Sequence, residues 1–165
     1  MVTPPPICND REAIGHVCGQ MGGGVKLIDK VSERQITDAI RQAESGTSGE
    51  IRVRVKRGST RDAMKDARKY FQKAGMHRTR ERNGVLIFIS WKSRAFAILG
   101  DEGIHRAAKD IFWNDTRDRM ETLFSKNELK EGIIAGVRSV GQKLKECFPL
   151  RVDDRNELPD TVTQE

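Results

Sequence analysis

Glu50, Asn83, Asp101 and Glu102 are the side chains with the most chemical reach in this sequence. Carboxylate and amide oxygens together form the donor set of a hard cation such as calcium or magnesium. Gly49, Gly84, Gly100 and Gly103 flank them, so the backbone can come close to whatever the oxygens hold. Asp115 and Asp118 begin a later helix that can return to the same place and extend the set. No EF-hand spacing is present, so the grouping rests on topology and not on a linear motif. Two readings stand at this stage: cation ligands, or solvated loop residues and helix caps.

The topology follows from periodicity. Ser32 is read as a helix N-cap, with Glu33 in the first turn and Ile36, Ala39, Ile40 and Ala43 at helical spacing. Residues 50–56 alternate, Ile51, Val53 and Val55 against Arg52, Arg54 and Lys56, which predicts a strand with one covered face. Ala63, Met64, Ala67, Phe71 and Ala74 form the stripe of a second helix, stopped at Gly75. Residues 85–89 are continuously apolar, as in a strand covered on both sides, and a tight turn at 91–94 returns the chain into a strand at 95–99. Helices are expected over 104–110, 115–125 and 128–148, the last interrupted by Gly132, Gly136 and Gly141 and ended by Pro149. Those glycines are read as letting the helix lie close on the sheet.

Strand, helix, strand makes a crossover unit whose strands run parallel, and the turn makes the third strand antiparallel. The starts of the first two strands and the end of the third then share one edge. Glu50, Asn83, Asp101 and Glu102 meet there.

A chain of 165 residues suits one domain. Residues 1–25, with Pro4-Pro5-Pro6 and Gly22-Gly23-Gly24, read as a disordered lead; 26–149 form the α/β domain and 150–165 a polar tail. No apolar run reaches membrane-spanning length and no secretory signal opens the chain, so a cytoplasmic location is expected. Cys8, His16 and Cys18 match no common zinc spacing, and three cysteines argue against a disulfide framework. The net charge of +6 invites nucleic acid, through the Arg52, Arg54, Lys56, Arg57 face and the basic run 78–82. With 24 acidic residues scattered among 30 basic ones, however, a solvated surface explains the charge better. There is no nucleophile elbow or phosphate loop. His105 beside the acidic loop can act as acid, base or ligand, and Phe112-Trp113 can wall the loop or belong to the core.

Ser48-Gly49-Glu50-Ile51-Arg52-Val53, Asn83-Gly84-Val85-Leu86-Ile87 and Gly100-Asp101-Glu102-Gly103-Ile104, with Phe112-Trp113 and the run 131–137, resemble the TPM domain family. The likeness covers about 25–149, and the tail at 153–160 resembles that of the short, soluble bacterial branch. The resemblance implies a three-layer α/β/α sandwich with a mixed central sheet. It also implies a divalent cation, usually calcium with magnesium as the alternative, bound in loops at a sheet edge. The expected function is a non-enzymatic adaptor or a stress- or envelope-maintenance protein, open to an unidentified protein partner. The alternative is a metal-assisted acid phosphatase, as attributed to a plant member, with Arg82 or Arg94 orienting the phosphate. Two positions depart from the larger branch: Arg82 stands where many members carry Asp, and Leu99-Gly100-Asp101 replaces a Gly-Tyr-Gly.

Overall fold

The computed structural model describes residues 15–21, 28–151 and 162–164. Alternation along two strands generates its three layers. In β3 (Gly84–Ser90), Val85, Ile87 and Ile89 point to one face, and Leu86 and Phe88 to the other. In β4 (Ala95–Gly100), Phe96 and Ile98 share the first face, and Ala97 and Leu99 the second. Both faces are buried, which is why residues 85–89 show no polar alternation. The larger face packs on α1 (Lys30–Glu44), α4 (Asp110–Ser125) and α5 (Leu129–Cys147) through Ile36, Ile40, Met120, Phe124, Ile133, Val137 and Leu144. The smaller face packs on α2 (Ala63–Lys73) through Ala63, Met64, Ala67 and Phe71.

Among the described residues the sheet has five strands, in the order β1-β4-β3-β2-β5. β2 (Glu50–Lys56) runs parallel to β3, and β4 returns antiparallel, as the crossover and turn require. The outer strands depart from the sequence reading. Residues 15–20, assigned to the disordered lead, form β1 (Gly15–Gln20), antiparallel to β4. β5 (Val162–Gln164), within the polar tail, runs parallel to β2. Residues 1–14, including Cys8, and 22–27 lie outside the described residues.

Three further expectations are corrected. α1 is capped by Asp29, whose Oδ1 accepts the Ser32 N–H at 2.7 Å, so the helix begins before Ser32. The basic face of β2 is covered: Arg52 is buried, and the Arg54 guanidinium lies 4.8 Å from the centre of the Tyr70 ring on α2. Arg52 and Arg54 are thereby taken up in packing, while Lys56 pairs with Asp66 and Arg57, beyond the strand, stays exposed. The α5 glycines face helices, not the sheet. An ideal Cβ at Gly132, Gly136 or Gly141 would lie 2.4–2.5 Å from Phe124, Met120 or Ala43 respectively. α3 (Glu102–Ala107) is a short helix set between β4 and α4.

Candidate metal centre

β2 begins at Glu50 and pairs it with Gly84, the first residue of β3. Val85 pairs with Gly100, the last residue of β4, and the Asp101 N–H donates to the Gly84 carbonyl at 2.9 Å. Neighbouring strands lie roughly 4.8 Å apart. Glu50, Asn83 and Asp101 therefore stand side by side at one end of the sheet, as the topology requires. All three are buried, at 2%, 1% and 1% exposure. Two carboxylates and an amide with so little solvent need compensating partners.

Asp101 has them. Its Oδ1 accepts the Glu102 N–H at 2.8 Å, capping α3, and accepts Arg82 Nη2 at 3.0 Å; Oδ2 accepts Arg82 Nε at 2.7 Å. This is a two-pronged, charge-assisted pair. The carboxylate holds the Arg82 guanidinium above its ordinary pKa, first through that hydrogen bond. Glu102 adds a longer contact to Arg82, 3.9 Å, and pairs with Arg106. Arg82 reaches Asp101 from a left-handed backbone, φ 52°. Its carbonyl accepts the N–H groups of Gly103 (2.7 Å) and Ile104 (3.3 Å). Only glycine fits at 103, because a Cβ there would lie 2.1 Å from the Glu81 carbonyl oxygen.

Asn83 is satisfied on one side only. Its N–H donates to Thr79 Oγ1 at 3.2 Å and its Nδ2 to Ser48 Oγ at 3.1 Å, while Ser48 donates to Glu81. Its Oδ1 is buried and meets no hydrogen-bond donor among the described residues.

A family model described as the TPM domain matches residues 24–143. The chain belongs to the TPM domain family. Among solved structures, this TPM domain is similar to the NMR structure of the BA42 protein from the psychrophilic bacterium Bizionia argentinensis. The two share 36% identity over 85% of this chain and 97% of that one, with a TM-score of 0.79. No curated protein matches the chain.

The remaining residues singled out in the sequence fall elsewhere in the TPM domain. Trp113, Thr116 and Met120 form the buried face of α4, which turns Asp115 and Asp118 outward. Asp115 lines a cleft between α4 and α5 with Arg138 and Lys143, and Asp118, 61% exposed, pairs with Arg117 at 3.0 Å. No group of three or more His, Cys, Asp or Glu side chains among the described residues is arranged to hold a metal. Trp113 belongs to the core, packed on Gly100 and Ile104, with Phe112 edge-on at 5.0 Å. Arg94 ends the turn before β4 and Asp101 follows β4, so the two arginines considered for a phosphate lie roughly 20 Å apart along the strand. Among the described residues, no helix is long and apolar enough to cross a membrane.

Sequence reading missed Thr79, Ser48 and Glu81 as the polar surround of Asn83. It also missed that Arg82 sits on Asp101. Residues 77–82 look like any solvated basic run, and only the position of Arg82 beside Asn83-Gly84 marks it out.

Proposed function

We infer that this TPM domain binds a divalent cation at the sheet end formed by Glu50, Asn83 and Asp101, and that Arg82 is an internal cation competing for the same carboxylate. The observation that carries the reading is the buried Asn83 Oδ1 with no donor among the described residues, on a residue whose backbone shares one sheet end with the buried residues Glu50 and Asp101. A buried acceptor left unmet costs about 1–3 kcal/mol, and a cation supplies what it lacks. An irregular oxygen set with side chains of different length suits calcium better than magnesium, which demands a near-ideal octahedron. Glu50, Asn83 and Asp101 would hold the ion, with Glu102 at the margin. Asp101 becomes available only when Arg82 leaves it. That guanidinium is 46% exposed, so it can swing into solvent without crossing the core.

Arg82→Gly isolates this competition, because glycine accepts the left-handed backbone at that position. Releasing a half-exposed ion pair is worth at most about 1 kcal/mol, which corresponds to roughly fivefold in affinity. Titration calorimetry on chelator-treated protein should therefore show calcium binding to the parent and about fivefold tighter binding to Arg82→Gly. Asn83→Ala should weaken both. No heat and no thermal stabilisation by calcium in either protein would end the reading.

A further inference from the structure

The opposite end of the sheet carries a different chemistry. Met21, Arg57, Trp91, Lys92 and Arg94 line a concavity of about 400 Å³ there. Backbone pairing brings them together. The Trp91 N–H donates to the Lys56 carbonyl at 2.8 Å, which sets Arg57 beside the turn, and the Met21 N–H donates to the Arg94 carbonyl at 2.6 Å. Arg94 closes the turn in the left-handed conformation, φ 50°, with its N–H on the Trp91 carbonyl at 3.2 Å.

Among the described residues, the lining holds three cations and no carboxylate. Lys56 next door is neutralised by Asp66 at 3.1 Å, but Arg57, Lys92 and Arg94 make no ion pair among the described residues. All three are exposed, so none is held there to satisfy the core. Like charges around one concavity repel one another, and a ligand with two or more negative charges relieves that repulsion. Guanidinium and ammonium groups together are the usual partners of phosphate oxygens. Trp91 is partly buried against the core and also lines the concavity, and an indole is a side chain suited to a planar ring. The volume falls in the range of small-ligand pockets.

We propose that the β3–β4 turn is a binding site for a phosphorylated small molecule carrying a planar ring, of the nucleoside diphosphate class. Arg57, Lys92 and Arg94 receive the phosphates and Trp91 receives the ring. The site lies roughly 20 Å along β4 from Asp101 and is independent of the cation reading.

The full chain can report on this site by fluorescence, because its other tryptophan, Trp113, is buried at 1% exposure. Calorimetry with ADP, pyrophosphate and adenosine separates phosphate from ring. ADP should bind and change the Trp91 emission, and pyrophosphate should bind about tenfold more weakly, the contribution of one stacked ring. Adenosine should bind more weakly than ADP. The double variant Lys92→Ala, Arg94→Gly removes two exposed charges and keeps the turn's backbone. It should retain its melting temperature and lose about tenfold or more in ADP affinity. Four results would overturn the proposal. They are no heat with ADP, unchanged ADP affinity in the double variant, and pyrophosphate binding as tightly as ADP. The fourth is a short single-stranded oligonucleotide binding about tenfold tighter than ADP, which would assign the basic turn to nucleic acid.

Discussion

Asp29 holds the first turn of α1 by a single carboxylate, and pH can read that contact. The Ser32 backbone N–H, and after it the Ser32 hydroxyl, keep this carboxyl below its ordinary pKa of 3.8. A group whose folded pKa is depressed contributes stability that is complete above the unfolded pKa and lost as pH falls through the folded one. Asp29→Ala should therefore lower the melting temperature at neutral pH, with the gap to the parent closing only in acid below 3.8. Thermal melts across a pH series check this, and a gap that stays constant into acid would refute it. Sequence reading placed the cap at Ser32 and passed over Asp29, although aspartate caps about as well as serine. It also missed the Arg82–Asp101 pair. That contact depends on a left-handed residue seated against Gly103, a tertiary arrangement with no linear signature. Glu50, Asn83 and Asp101 were legible as neighbours because strand direction alone brings them together.

Among the elements, α5 shows how glycine sets helix spacing. A methyl at Gly136 would meet the end of the flexible Met120 side chain, whereas at Gly141 it would meet the Cβ and Cα of Ala43, which cannot rotate away. Alanine gains about 1 kcal/mol of helix propensity at either position, and overpacking costs about 1–3 kcal/mol where neighbours cannot give. Gly141→Ala should thus destabilise by up to about 2 kcal/mol, and Gly136→Ala should be near neutral. Chemical denaturation of the two variants tests the order, and equal midpoints would show that α1 yields as readily as a methionine. The stripe of α5 was readable from its apolar spacing, but its packing partner was not, because periodicity marks a buried face without naming what covers it. β3 and β4 were readable because continuous burial leaves a continuous apolar run. β1 was not. Its six residues include Gly15 and Gly19, and the Phe96 ring occupies the space where a side chain at 19 would stand, 2.2 Å from an ideal Cβ. Two glycines in six residues leave little hydrophobic pattern.

At the scale of the whole molecule, both outer strands come from segments flanking the central αβ unit. β5 covers the outer edge of β2 at Val53–Val55, buries Val162, and is tied down by Tyr70 Oη to Thr163 Oγ1 at 3.1 Å and Gln164 Nε2 to Glu33 at 3.3 Å. Ending the chain after Arg151 removes these contacts and bares a sheet edge. Burial of one valine is worth about 1.5–3 kcal/mol, so the truncated protein should lose at least about 1.5 kcal/mol and show concentration-dependent self-association by gel filtration. A monomer of parental stability would show that β5 contributes nothing. The order of synthesis adds a further consequence. A nascent chain leaving the ribosome presents β2 early, but the segment that seals its flank is translated only after the other described strands of the sheet. Until then that flank stays open to passing chains and chaperones, and the described sheet is complete only when β5 arrives.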